Sequence, residues 1–257
     1  MIDMDDCRAL LHPRSPGTCE WILSNSRLRD WISDHGLSLL HIVGDMGAGK
    51  SILMSYLVDG LKPLFDSTTS RSPGKVMICS FLCDDKDVSR KNSHGILRGL
   101  LSQILQQRHD LMDHATARFS EGDPGGWSLT ILWEILRDII LNPIAGTIVL
   151  ILDAIDKCEP MSRDQVLTLI RQFLGQNPVS TSNRVKILIS SRPSIGLIEE
   201  IGQCSSVVSL DDEKQIRDIE RDIQLVVKDQ LDGLAANIEW TPKTREALEK
   251  NIVMKAD

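Results

Sequence analysis

Eight consecutive residues, Gly44-Asp45-Met46-Gly47-Ala48-Gly49-Lys50-Ser51, stand directly after an apolar run and directly before a helix-compatible one, Ile52–Leu61. Their types and spacing fit G-x-x-x-x-G-K-[S/T], and chemistry accounts for each type. Glycines let the backbone curl until successive N–H groups point inward at an anion. A helix starting at this place adds its partial positive charge. The backbone from Gly44 to Ser51 would cradle phosphate oxygens, the Lys50 ammonium would reach β- and γ-phosphates, and the Ser51 hydroxyl would ligate Mg2+. The bland alternative is a glycine-rich turn with a fortuitous Gly-Lys-Ser; a strand before it and a helix after it argue for the phosphate loop.

A carboxylate with a matching role ends the run Ile148-Val149-Leu150-Ile151-Leu152-Asp153. Ligands of open α/β sheets bind at the C-terminal strand edge, so Asp153 is placed to hold the Mg2+ shell, through water, as a Walker B aspartate does. A helix cap is the competing use of an Asp there. Asp156, three residues on, could orient an attacking water, although an exposed loop Asp is common. Arg192 follows the run Val185-Lys186-Ile187-Leu188-Ile189-Ser190-Ser191. At that edge it could sense the γ-phosphate or stabilise transferring charge, or simply be a solvated loop arginine.

These residues need elements to position them. Short β-branched or apolar runs recur at Leu39–Val43, Val76–Leu82, Thr147–Leu152, Val185–Ile189 and Val207–Leu210. Several are apolar throughout, as strands buried on both faces of a parallel sheet are. Helical periodicity separates them: Ile96, Leu97, Leu100, Leu101, Ile104 and Leu105 share one face, as do Leu132, Trp133, Leu136, Ile139 and Ile140. Ser162 and Gln165 predict a capping-box start for a helix burying Val166, Leu169, Ile170 and Phe173. Thr241-Pro242 reads as a cap followed by proline at the first helical position. Asp66–Gly74, Glu121–Gly126 and Gln176–Asn183 read as loops. The fold class is α/β with a doubly wound parallel sheet. Residues 1–35 form a mainly helical lead-in anchored by Trp21, Ile22 and Trp31, residues 36–210 carry the sheet, and residues 211–257 form a helical extension.

The chain has 257 residues, 42% of them hydrophobic, enough for one sizeable core and too many for a disordered chain. A formal charge of -7 argues against a nucleic-acid surface. No apolar run reaches the ~18–20 residues of a membrane span. The opening Met-Ile-Asp-Met-Asp-Asp is acidic where a leader would be basic. Six cysteines without tight pairing suit a reducing, cytoplasmic compartment. Cys79 and Cys83 have no second Cys/His pair at metal-site spacing, so a buried thiol is the reading for Cys79. Cys158 has no identifiable His partner, and His41 reads as packing. The alternating charges of Asp84–Lys91 read as a solvated face. Trp21 could border a nucleotide base or belong to the core.

In this order the elements resemble the NACHT-type P-loop NTPase domain of the signal-transduction ATPases with numerous domains (STAND), in particular fungal incompatibility-type and nephrocystin-3-like proteins. Thr18-Cys19-Glu20-Trp21 resembles that family's lead-in. Phe81 with Asp84 and Asp85, then Ile96-Leu97-Arg98-Gly99-Leu100-Leu101, resembles its second strand and following helix. Leu152-Asp153-Ala154-Ile155-Asp156 resembles its acidic motif, and Ser190-Ser191-Arg192-Pro193 its sensor motif. The resemblance implies a three-layer sandwich around a five-stranded parallel sheet of order 5-1-4-3-2. It also implies a Mg2+-dependent switch that binds ATP or GTP, works with an N-terminal effector domain and C-terminal repeats, and forms a homo-oligomer on activation. A turnover enzyme (ATPase or nucleotide kinase) and a nucleotide-blind interaction module are the alternatives. Two departures stand out. Lys157 occupies the position after Asp156 where the family has Glu, so hydrolysis is expected to be slow. Lys255-Ala256-Asp257 resembles the start of a segment that continues in the family, so the chain is expected to stop before a winged-helix lid.

Overall fold

A computed structural model describes residues 14–34, 36–68, 76–119, 127–175, 184–193, 205–235 and 242–256. After a 3-10 turn, Glu20–Ser24, come α1 (Ser26–Ser33), β1 (Leu37–Val43), α2 (Lys50–Thr68), β2 (Met77–Leu82), α3 (Ser93–Gln107) and α4 (Met112–Phe119). There follow α5 (Leu129–Leu141), β3 (Ile148–Asp153), α6 (Pro160–Gly175), β4 (Val185–Ser191), β5 (Ser205–Ser209), α7 (Glu213–Ala235) and α8 (Pro242–Ala256). The five strands form one parallel sheet of order β2-β3-β4-β1-β5. Read from its other edge, this is the order that the family resemblance implies. The strand ending in Asp153 is thereby separated from the phosphate-loop strand by the strand ending at Ser191.

Every residue of β3 and β4 is buried, as their near-continuous apolar runs require of strands covered on both faces. Alternate residues feed two cores. Leu39, Cys79, Phe81, Leu150, Leu152, Ile187 and Ile189 meet α3, α5 and α6 through Ile96, Leu100, Leu136, Val166 and Phe173. Leu40, Ile42, Ile78, Val149, Ile151 and Leu188 meet α1 and α2 through Trp31, Leu53, Leu57 and Phe65. Three of the helices adjoining the sheet start on side-chain caps: Asn25 for α1, Asn92 for α3 and Ser128 for α5.

Four expectations are corrected. Helix α6 begins at Pro160, before Ser162, and buries Leu167 where Leu169 was expected. Ser162 is inside the helix and Gln165 accepts a hydrogen bond from Ser93 (2.9 Å), so the two do not cap. Helix α2 runs on to Thr68, through the start of the expected loop; residues 69–74 of that loop, and the other two expected loops, lie outside the described residues. Strand β5 ends at Ser209, with Leu210 already in the turn. Within Asp84–Lys91 the face is not uniformly solvated: Arg90 is buried, bonded to Asp87 (2.8 Å) and Asp84 (2.9 Å). The cap of α8 at Thr241 lies outside the described residues, while the helix itself starts at Pro242 as expected.

Candidate functional site

Strand β1 stops at Val43 because its neighbours hold it there: the Gly44 N–H donates to the Ser191 carbonyl (3.3 Å) and the Leu210 N–H to the Val43 carbonyl (2.7 Å). The chain then turns into α2 within six residues. Gly47 (φ 93°) and Gly49 (φ 75°) occupy the left-handed region, which a side chain disfavours. That conformation turns the loop's backbone donors inward, above the N-terminus of a helix that begins with Lys50 itself. Lys50 lies back along the loop, its Nζ donating to the carbonyls of Gly44 and Asp45 at 2.7 Å each. Burial pulls its ammonium below the usual lysine range, opposed by the carboxylates of Asp156 and Asp153.

Asp153 closes β3 opposite the loop. It is 6% exposed, and its carboxylate accepts the hydroxyls of Ser190, through Oδ1, and of Ser51. Burial raises the carboxyl above the ordinary aspartate range, and those hydroxyls with the charges of Lys157 and Lys50 oppose the rise. Ser51 and Asp153, the two residues expected at Mg2+, are therefore side by side. One hydroxyl and one carboxylate whose charge lacks a full counter-ion fit a cation that keeps several waters and takes the rest of its shell from phosphates. Among the described residues no cluster of three or more His, Cys, Asp or Glu could hold a metal by itself. Ser190 also accepts the Ala154 N–H (2.8 Å). It thus supports a non-glycine residue at φ 55°, a conformation that costs about 1–2 kcal/mol.

Asp156 and Arg192 meet each other. Arg192 Nε lies 3.1 Å from Asp156 Oδ2, and the Arg192 N–H donates to Asp156 Oδ1 (3.2 Å). Lys157 faces the same cleft. This cleft, of about 260 Å3, is lined by Met46, Gly47, Lys50, Ser51, Ala154, Asp156, Lys157 and Arg192 among others. All the sequence-predicted residues from Gly44 to Ser51, with Asp153, Asp156 and Arg192, thus gather at the C-terminal edge of β1, β3 and β4. Asp45 is exposed there and Ala48 half-buried.

Sequence reasoning missed three supports. His41 is fully buried in β1, 2.8 Å through Nε2 from Ser191 Oγ. Ser191 Oγ also lies 2.9 Å from the Arg192 carbonyl, to which it can donate. Burial pushes His41 down to about 4, keeping it neutral. Ser190 was seen as part of a motif without a role. Asp222 of α7, in the extension, was not singled out, yet it accepts the Cys19 N–H (2.7 Å) and the Trp21 indole N–H (3.0 Å). That contact closes a second cleft, of about 200 Å3, on the loop's other flank. It lies between Trp21, Ala48, Ile52, Ile223 and Val226. No local pattern signals any of these bonds. The buried thiols are inert by environment: Cys79 is pushed up to about 12 by burial, and Cys83 well up by its bond to Cys158 and by burial.

The family described as Nephrocystin 3, N-terminal, matches residues 17–192, the span from the lead-in to Arg192. The chain is 29% identical over 232 residues to the vegetative incompatibility protein HET-E-1 of Podospora anserina, covering 88% of this chain and 15% of that protein. Among solved structures, the Aeropyrum pernix ORC2 protein aligns with TM-score 0.50 at 13% identity, over 90% of this chain and 56% of that one. Cdc6p of Pyrobaculum aerophilum aligns with TM-score 0.49 at 13% identity, over 90% and 54%. At 13% identity the likeness to the ORC2 protein speaks for the fold alone. The sequence match speaks for more: the chain belongs to the Nephrocystin 3, N-terminal, family, and is a NACHT-type P-loop NTPase domain of the STAND class.

Proposed function

We propose that the chain binds a purine nucleoside triphosphate, ATP or GTP, with Mg2+ and hydrolyses it slowly, acting as a signalling switch. The observation that carries this reading is the convergence of Lys50, Ser51, Asp156 and Arg192 on one cleft beside the loop from Gly44 to Ser51, with Asp153 buried behind it and bonded to Ser51. Phosphates would take the place of the Gly44 and Asp45 carbonyls at the Lys50 ammonium. Mg2+ would sit on Ser51 and, through water, on Asp153. Arg192 would exchange Asp156 for the γ-phosphate, releasing Asp156 to orient water. The base would lie in the cleft between Trp21 and α7, next to the phosphate site. This arrangement uses residues 36–210 as the nucleotide domain, 1–35 as lead-in and 211–257 as helical extension.

The wider role rests on likeness. This chain spans 15% of HET-E-1, whose name assigns it to vegetative incompatibility. We extend that to a switch working beside an effector domain and repeats, self-associating on activation, in the cytoplasm. No described helix is long and apolar enough to cross a membrane. The net charge of -7 favours a partner other than nucleic acid.

Lys50 tests the core of the proposal. It is the loop's only full positive charge, and charge-assisted bonds are each worth about 1.5–3 kcal/mol. Lys50→Ala is expected to weaken labelled-ATP and labelled-GTP binding at least roughly tenfold for whichever base is preferred. Equal affinity in both proteins, by equilibrium dialysis, removes this loop as the site.

A further inference from the structure

The wall of the second cleft contains a residue in a strained backbone conformation, whose carbonyl accepts the Ile22 N–H (3.3 Å) but whose own N–H looks far along the chain for its partner. Cys19 has φ 63° and ψ -2°, the left-handed conformation that L-residues avoid. It stands at the start of the 3-10 turn Glu20–Ser24, where no side chain caps it. What meets its N–H is Asp222 Oδ2, from a helix 203 residues away in sequence, at 2.7 Å. The same oxygen accepts the Trp21 indole N–H at 3.0 Å. Asp222 is also the one charged side chain in the lining of a cleft otherwise built from apolar side chains, cysteine, threonine and loop glycines, among the described residues.

A single carboxylate oxygen thus fixes two things at once: the backbone turn of the lead-in and the plane of a tryptophan facing Ala48 and Ile52. Without it, the Cys19 N–H would lose this acceptor and Trp21 the hydrogen bond that, among the described residues, orients its ring. The Trp21 ring is then free to swing off the cleft, which adjoins the phosphate loop through Gly47 and Gly49.

We infer that Asp222 is a positioning residue for the nucleotide base: it holds Cys19 and Trp21 as one rigid wall and ties α7 to the bound ligand. The inference rests on the nucleotide reading given above and assigns the extension a part in ligand selection. Because a flat aromatic wall in an apolar slot gains from stacking on a heteroaromatic ring, the affected part of the ligand is the base, while the phosphates bind elsewhere. Burial pushes the Asp222 carboxyl above its ordinary range, against the pull of the two N–H donors. An uncharged amide is therefore a mild replacement, and its oxygen still accepts both bonds.

The test compares Mg-ATP with Mg-tripolyphosphate, which lacks the base, by titration calorimetry on the full chain. Asp222→Ala is expected to weaken ATP roughly tenfold while tripolyphosphate stays within about twofold of wild type. Asp222→Asn is expected to restore ATP to within about threefold. Trp21→Phe keeps a ring but no indole donor, and is expected to lose ATP affinity about threefold, again sparing tripolyphosphate; it carries the test if Asp222→Ala does not fold. An unchanged ratio of the two affinities in Asp222→Ala or in Trp21→Phe, or an equal loss for both ligands, overturns the inference. Lys50→Ala separates the two levels, since it must weaken both ligands. A wild-type chain that binds neither ligand overturns the nucleotide reading, and this inference with it.

Discussion

Asp156 and Arg192 neutralise one another in this structure, while Lys50 and Lys157 bring two further cations to the same cleft. A carboxylate next to Asp156 could orient or deprotonate water, whereas an ammonium offers no lone pair for that task. Lys157 also lies close enough to lower the Asp153 carboxyl by its charge, so it sits in the field of the proposed Mg2+ site. Lys157→Glu is therefore expected to raise single-turnover phosphate release by roughly ten- to a hundredfold, with little change in affinity. An unchanged rate in a variant that still binds would mean that another group limits hydrolysis. At this scale the sequence was legible where chemistry is written in neighbouring residues. Gly49, Lys50 and Ser51 are consecutive, and Asp153 follows its own strand. It was illegible where one residue meets another far away. The His41–Ser191 bond spans 150 positions and the Trp21–Asp222 bond 201, and neither partner's own surroundings announce the other.

Elements were read best where burial leaves a pattern. β3 is buried at every position and reads as an unbroken apolar run up to Asp153, and β4, equally buried, keeps an apolar centre from Ile187 to Ile189, whereas β5, mostly half-exposed, starts two residues before the expected run. Ser162 resembled a cap because Ser and Gln at that spacing are also what a helix interior can hold when Ser93 takes up the Gln. The strand order came from the family likeness, since periodicity names strands without ordering them. One tether was invisible: Lys186, apolar in pattern position and fully buried, donates to Ser38 Oγ (2.7 Å) and Asp34 Oδ2 (3.2 Å), joining the end of α1 to β1 and β4. Burial lowers the Lys186 ammonium, which Asp34 opposes. On the other side burial would raise the Asp34 carboxyl, but the Lys186 charge and the bonds to it hold it below its ordinary value. A buried charge that loses its partner is worse off than an apolar replacement. Asp34→Ala is thus expected to cost about 1–2 kcal/mol, reduced from the fully buried case because Asp34 is 50% exposed, while Lys186→Met stays within about 1 kcal/mol. The depressed Asp34 value stabilises the fold above the unfolded aspartate range, and this contribution disappears as pH falls through the folded value. Urea midpoints at about pH 7 and about pH 3 should therefore differ more for wild type than for Lys186→Met. Parallel shifts in the two proteins would remove the pair from the acid response.

For the molecule as a whole, the site keeps a carboxylate under strain that a ligand can relieve. Asp153 is raised by burial, so above its folded value the ionised group penalises the unliganded fold. That penalty vanishes as pH falls and the carboxyl protonates, opposite in sign to the Asp34 contribution. A divalent cation beside Ser51 removes the penalty at neutral pH by supplying the counter-charge. Nucleotide and metal should then stabilise the fold together. At a hundredfold excess over the dissociation constant, binding to the folded chain alone contributes about 2.7 kcal/mol. In a chain of this length that corresponds to a rise of roughly 5–10 °C in Tm. Asp153→Asn separates the two effects because they carry opposite signs. It removes the buried charge, so the unliganded variant should melt at or above the wild-type temperature. It also removes the metal's carboxylate, so the rise produced by Mg-ATP should fall by more than about half, towards that seen with ATP and a chelator. Thermal melts of both proteins, without ligand, with ATP and chelator, and with Mg-ATP, resolve the three states. If the variant melts lower unliganded yet keeps the full Mg-ATP increment, Asp153 is a structural acid of the sheet edge and the metal binds through Ser51 and the phosphates without it.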